Sequence, residues 1–243
     1  MISIIMPTFN ESLNISAMIH ETEKVISIQD EIIVVDDNSP DNTSDVVKSL
    51  MEQYRNLRLI TRINEKGLTS AIQRGIEESK GEIVVWLDCD HCQHPKYIPS
   101  ILEPVLSHEC DVSVGSRYVN GGGDSRLSSY KLTVKIQVFL SWFLRKMTSA
   151  ILLCRFADWS SGFIAIRKEV LKKNGPLFGD YGEYFMILIY KALKNGYRVK
   201  EVPYILTARE HGYSKTATNI WGLIRRGRKY LWMIVRLRSG AFD

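Results

Sequence analysis

The chain has 243 residues, 45% of them apolar and 24% charged, a composition that excludes a disordered, collagenous or disulfide-built protein and leaves one large globular domain as the expectation. Its net charge of +5 is local: residues 209–238 hold eight basic residues and one acidic one, so the rest sums to −2 and nucleic acid is not expected as a partner. Four cysteines with no apolar leader ahead of residue 6 point to a reducing compartment, and no uncharged apolar run approaches the roughly 20 residues of a bilayer span.

In chain order, residues 2–6, 31–35, 57–61, 82–87 and 111–115 are short aliphatic runs closed by Pro, Asp or Gly, and they read as strands. Between them, 11–27, 43–54, 68–80 and 95–107 read as helices, the second capped by Asn42 or Thr43 and the third ending at Gly81. Strand and helix in alternation predict an α/β domain with a mostly parallel, Rossmann-like sheet covered on both faces. Beyond residue 115 come a Gly-rich loop (120–124), an apolar and cationic stretch (134–153), a strand (162–167), a helix (183–194) and a strand (198–202). This half reads as an acceptor-side C-terminal elaboration of the same domain.

Ligands in such sheets bind beyond the carboxyl ends of the strands. Those ends carry Pro7 to Glu11, Asp36 to Pro40, and Asp88-Cys89-Asp90. Asp88 and Asp90, spaced i and i+2 after an apolar strand, offer two hard oxygen ligands to one divalent cation, magnesium or manganese bridging a diphosphate. One of Asp36 and Asp37 is expected to face a ribose or base, while Asn38, Ser39, Asp41 and Asn42 read as turn and cap residues. No Gly-x-Gly-x-x-Gly follows the first strand and no phosphate-loop lysine motif occurs, which disfavours a dehydrogenase and an ATPase. Cys89, His91, Cys92 and His94 read as loop and helix-start residues rather than a zinc site. Arg117, Lys131, Arg209 and Lys215 stand at loop or element ends, and Arg117 and the Arg209–Lys215 turn suit phosphate oxygens.

Seven segments together resemble the family 2 glycosyltransferases, with the nearest likeness to their dolichyl-phosphate mannose synthase branch. They are Pro-Thr-Phe-Asn-Glu at 7–11, Val-Asp-Asp-Asn-Ser-Pro-Asp at 35–41, Lys-Gly-Leu at 66–68, Asp-Cys-Asp-His-Cys-Gln-His-Pro-Lys-Tyr-Ile-Pro at 88–99, Gly-Ser-Arg-Tyr at 115–118, Asp-x-x-Ser-Gly-Phe at 158–163, and Arg-x-x-Gly-x-Ser-Lys at 209–215. The resemblance implies a GT-A fold, taken over residues 1–215, and the composition of 216–243 reads as a basic amphipathic tail without a transmembrane segment. It implies a metal-dependent, inverting transfer of a hexose, mannose from GDP-mannose, onto a polyprenyl (dolichyl) phosphate. Pro7, Phe9, Glu11, Val35 and Asp37 would surround the nucleoside, and Asp88, Cys89 and Asp90 the metal and diphosphate. Arg117, Arg209 and Lys215 would grip donor and acceptor phosphates, joined by Lys131, with Asp90 and Arg117 nearest the chemistry. Three residues depart from the family pattern: Phe9 stands for a usual Tyr, Cys89 for a usual Ala, and Cys92 falls where some relatives place a glutamine ligand, with water able to substitute.

The acceptor, a phosphate monoester with a second pKa near about 6, is already a dianionic nucleophile at pH 7, so no base is required. Glu183 is the outside candidate for one, and otherwise a helix N-terminal carboxylate. Residues 134–153 and 219–238 mix Leu, Trp and Ile with cations and read as interfacial, placing the chain on the cytoplasmic face of a membrane, where a small membrane-protein subunit could assist. The alternatives are transfer from UDP-glucose or a UDP-N-acetylhexosamine, a non-catalytic nucleotide-sugar-binding subunit, and a peripheral membrane protein whose body is a scaffold.

Overall fold

A strand covered on both faces needs a continuous apolar run, and such runs form the centre of the molecule. The computed structural model describes residues 1–128, 132–209, 211–212 and 220–241; Lys131 and Lys215 lie outside them. The strands are β1 (Ile2–Thr8), β2 (Glu31–Asp36), β3 (Leu57–Thr61), β4 (Ile83–Trp86), β5 (Val112–Ser116), β6 (Gly123–Asp124), β7 (Ile164–Arg167), β8 (Val199–Pro203) and β9 (Ile205–Leu206). Seven of them form one sheet in the order β3-β2-β1-β4-β7-β5-β8, and β6 pairs with β9 apart from it. All pairings in the large sheet are parallel except those of β7, which runs antiparallel between β4 and β5.

The helices are α1 (Ile15–Glu23), α2 (Thr43–Met51), α3 (Leu68–Glu78), α4 (Ile98–Leu106), α5 (Leu132–Leu152), α6 (Lys168–Asn174), α7 (Glu183–Lys194) and α8 (Ile220–Arg238). The period of two sends Ile5, Ile33, Val35, Val84 and Trp86 to one core, beneath α3, α6, α7 and the inner residues Met233, Ile234 and Leu237 of α8. It sends Ile4, Met6, Ile32, Val34, Ile83 and Val85 to the other, beneath α1, α2 and α4. The segment read as a basic tail is therefore a helix whose inner residues complete the first core.

The expected strands and helices are present, with differences at their ends. The first helix starts at Ile15 rather than at residue 11, because residues 11–14 form a turn held from outside. Glu11 N–H donates to Thr43 Oγ1 at 3.0 Å and Ser12 N–H to Asp41 Oδ2 at 3.0 Å. α2 takes its cap from Asp41, whose Oδ1 accepts from Thr43 N at 3.1 Å, while Asn42 sits in the left-handed region at φ 67° without a capping bond. The third helix closes at Glu78, ahead of Gly81. Before α4, residues Pro95–Tyr97 make a tighter single turn.

The order β3-β2-β1-β4 means the chain leaves β1 toward one edge and later returns to its other side. That reversal opens a crevice past the carboxyl ends of β1 and β4. α3 lies close over β1 there because Gly75 has no side chain: a Cβ would fall 2.5 Å from Ile5 Cγ2. Gly75→Val is expected to lower unfolding stability by roughly 1–3 kcal/mol through overpacking; an unchanged urea midpoint would contradict this contact.

Candidate active site

Loops from the carboxyl ends of β1, β2, β3 and β4 meet the start of α3 and the segment before α7 around a cavity of about 840 Å³. Eight residues expected from the sequence line it: Pro7, Phe9, Glu11, Asp37, Asp88, Cys89, Asp90 and Arg209. Val35 does not, because its side chain is fully buried in the core beneath. Its carbonyl accepts from Thr8 Oγ1 at 3.4 Å.

The two adjacent aspartates of β2 have different tasks. Asp36 is fully buried and accepts from Thr8 Oγ1 at 2.9 Å, Ser39 N at 2.9 Å and Ser44 Oγ at 2.8 Å, so it knots the β1 and β2 loops together. Asp37 faces the cavity wall. Its Oδ1 takes Nε of Arg62 at 2.7 Å and also Nη2, and its Oδ2 takes Gly67 N at 2.7 Å. Arg62 then reaches Ser70 Oγ at 2.9 Å and Gly67 O at 3.0 Å. A buried bidentate pair with its remaining donors satisfied fixes geometry more than it adds stability. What it fixes is the loop carrying Lys66, whose ammonium lies 5.6 Å from the Phe9 ring centroid.

At the end of β4, Asp90 Oδ1 accepts from Cys92 N at 3.0 Å and Oδ2 from Arg209 Nη2 at 2.9 Å. Arg209 Nη1 also reaches Glu11, at 3.2 Å to Oε1. One guanidinium thus spans two carboxylates across the cavity. Burial opposes its charge, but Asp90 and Glu11 outweigh burial and hold the Arg209 pKa above its ordinary value. Burial, and then the Asp90 charge, push the Cys92 thiol far up, so it stays a neutral S–H.

The donor set fits a hard divalent cation of the magnesium or manganese kind, which is commonly held by one or two carboxylates with phosphates and water completing the shell. Asp88 and Asp90 are the two carboxylates that could serve such an ion. Among the described residues no cluster of three His, Cys, Asp or Glu closes around one point, so an ion would depend on oxygens from its ligand.

Arg117 stands outside this lining. It is buried and donates from Nε at 2.8 Å and Nη2 at 2.6 Å to the fully buried Asp158, and from Nη2 at 2.9 Å to Ser160 Oγ. Burial works against its charge, yet the Asp158 carboxylate wins and raises its pKa. Glu183 opens α7, buried, with Oε2 accepting Tyr181 N at 2.9 Å, as a helix N-terminal carboxylate does.

The sequence reading passed over Arg62, and it quoted Lys66 and Gln93 only within family segments, without a role. Gln93 is buried, accepts from Asp88 N at 2.9 Å and donates to Ser161 O at 2.7 Å, which ties the acidic loop to the Arg117–Asp158 region. An amide three residues past the acidic pair was the available signal.

Gly67 sits at φ +130°, a region L side chains rarely adopt, and its N–H holds Asp37. Gly67→Ala is expected to cost about 1 kcal/mol and to accelerate amide hydrogen exchange of residues 62–70. Unaltered exchange there would contradict the role given to this turn.

The description "Glycosyl transferase family 2" belongs to the family profile that matches residues 3–175. A dolichol-phosphate mannosyltransferase of Pyrococcus furiosus is 35% identical over 227 residues, covering 88% of this chain and 58% of that protein. The chain thus spans rather more than half the length of that relative. A dolichol-phosphate mannosyltransferase of Mycosarcoma maydis is 30% identical, covering 99% of this chain and 80% of that protein. Among solved structures, the glucosyl-3-phosphoglycerate synthase of Mycobacterium tuberculosis, in complex with Mn2+, UDP and glucosyl-3-phosphoglycerate, superposes with a TM-score of 0.71 at 20% identity, covering 98% of this chain and 80% of that one. The likeness is one of fold, and the fold is GT-A.

Proposed function

The chain belongs to glycosyl transferase family 2, and from that premise we propose that it is a metal-dependent inverting transferase moving mannose from GDP-mannose onto a polyprenyl phosphate at the cytoplasmic face of a membrane. The observation that carries this reading is the cavity at the sheet reversal, where Glu11, Asp37, Asp88 and Asp90 share a wall with Arg209. The names of the two relatives supply the donor sugar and the acceptor class.

On this reading Phe9 stacks on the base with Lys66 at its edge, Pro7 and Glu11 border the nucleoside, and Asp37 meets the ribose or base. Val35 contributes through its backbone. Asp88, Cys89 and Asp90 take the metal-diphosphate end, where magnesium or manganese, when bound, offsets the charge that develops on the departing diphosphate. Arg209 leaves its carboxylates for the phosphates, with Lys215 following it in sequence. Arg117 and Lys131 serve the acceptor phosphate. That phosphate is a dianion and attacks the anomeric carbon without a general base, so the protein's work is positioning and charge stabilisation.

Membrane docking is supported by exposed apolar side chains on two helices. Ile136, Phe139, Trp142 and Phe143 of α5 are 42–62% exposed, and Leu231, Trp232 and Val235 of α8 are 39–60% exposed. Lys135, Lys146, Arg228 and Arg236 stand among them. Among the described residues no helix is long and apolar enough to cross a membrane, so attachment would be interfacial, with a small membrane-protein subunit as a further partner.

The test is mass spectrometry of lipid extracts after incubating the full chain with manganese, a short polyprenyl phosphate and one sugar nucleotide at a time. GDP-mannose is expected to give a mannosyl phospholipid, and Asp90→Asn to reduce its rate by about 100-fold or more, on the order of 3 kcal/mol of lost transition-state stabilisation. Product from UDP-sugars alone would overturn the donor. No glycolipid from protein that binds nucleotide and metal would overturn the acceptor.

A further inference from the structure

α5 has two faces. Phe139, Trp142 and Phe143 point outward, whereas Val138, Thr148 and Leu152 are buried at 8%, 2% and 3% exposure. Arg145 falls on the inward stripe, seven residues from Val138 and Leu152 and three from Thr148, unlike the exposed Lys135 and Lys146. Its guanidinium packs on the Tyr118 ring, 4.5 Å from the centroid, and Arg117 packs on the same ring at 5.1 Å.

The hydrogen bonding here is lopsided. Arg117 is matched by Asp158, and Arg126 by Asp124, with Nη2 at 2.6 Å. Arg145 has no carboxylate within salt-bridge distance among the described residues. Its Nε and the Tyr118 hydroxyl are buried atoms without a hydrogen-bond partner. The half-buried Glu201 is committed as well, to the Ala157 and Asp158 amides at 2.7 and 2.9 Å. Buried donors are normally satisfied, and two of them beside a surplus positive charge call for a ligand made of acceptor oxygens. Each residue as a whole is only partly buried, although Arg145 Nε and the Tyr118 hydroxyl are themselves shielded.

We propose that Arg145 and Tyr118, beside Arg117, form a subsite for a lipid-linked phosphate monoester, with Arg145 setting affinity for the acceptor. The assignment rests on the transferase reading above, because the link to the reaction runs from this cluster through Ser161 and Gln93 to Asp88. A phosphate monoester suits it: oxygens that only accept, a charge that offsets the unmatched arginine, and a guanidinium able to donate twice. The aromatic ring holds both guanidinium groups without supplying a competing anion.

The experiment measures binding of geranyl phosphate, inorganic phosphate and dihexanoyl phosphatidylglycerol to the full chain by calorimetry, without donor or metal. Wild type is expected to bind geranyl phosphate best. Arg145→Met should weaken that binding at least ten-fold, Arg145→Lys less, and Tyr118→Phe about three-fold, while the thermal shift given by GDP with manganese stays the same in all. Steady-state turnover, where present, should show acceptor KM rising with donor KM fixed. Equal geranyl phosphate affinity in wild type and Arg145→Met would overturn the subsite, as would a loss confined to phosphatidylglycerol, which would assign the cluster to bilayer headgroups. Should Arg145→Met fail to fold, Tyr118→Phe decides, since it keeps the ring and removes only the hydroxyl. A chain that binds geranyl phosphate through Arg145 but makes no glycolipid leaves the subsite standing and overturns the transferase reading. A chain that makes glycolipid with acceptor KM unmoved by Arg145→Met does the reverse.

Discussion

Five carboxylates, Glu11, Asp36, Asp37, Asp88 and Asp90, are gathered at the carboxyl ends of three neighbouring strands, and the protein has to pay for their mutual repulsion locally. Four of them are dealt with in three ways. Asp36 is solvated by hydroxyls and an amide, Asp37 is matched by the buried Arg62, and Glu11 with Asp90 shares Arg209. The first two arrangements sit inside the fold and are fixed. Arg209 lines the cavity itself and holds the two carboxylates at 2.9 and 3.2 Å. On the proposed reading that ion pair is the exchangeable one: a divalent cation would take the guanidinium's place beside Asp90, and a diphosphate the carboxylates' place beside Arg209.

The same constraint explains why so much structure converges on short loops. Asp37 anchors Gly67 and, through Arg62, Ser70, so the start of α3 and the wall with Lys66 are placed by one aspartate. Gln93 performs the equivalent task on the other side, coupling the Asp88 loop to Ser161 and so to the Asp158–Arg117 pair. The acidic cavity and the arginine cluster are thus linked through the Gln93 side chain.

Much of this was legible in the sequence, for physical reasons. The strands β1 to β5 show because burial on both faces demands uninterrupted apolar runs, and Asp88 and Asp90 show because they stand where such a run ends. Arg62 does not show, because its carboxylate partner is 25 residues away, and Gln93 shows only as an amide beside the acidic pair, its second partner lying 68 residues away. The antiparallel insertion of β7 between β4 and β5 is equally invisible, since strand order is decided by packing rather than by the composition of a strand. Val35 was expected at the ligand on family resemblance, yet the period of two turns its side chain into the core. α8 read as a tail from its charge, while its inward apolar residues belong to the core.

The central claim is that the acidic edge accepts a nucleoside diphosphate only together with a divalent cation. Titration calorimetry of GDP into the full chain, in manganese and again in chelator, tests it most directly. The account predicts that manganese tightens GDP at least ten-fold, about 1.4 kcal/mol, and that GDP tightens manganese by the same factor, as linkage requires. Equal GDP affinity in manganese and in chelator would contradict it.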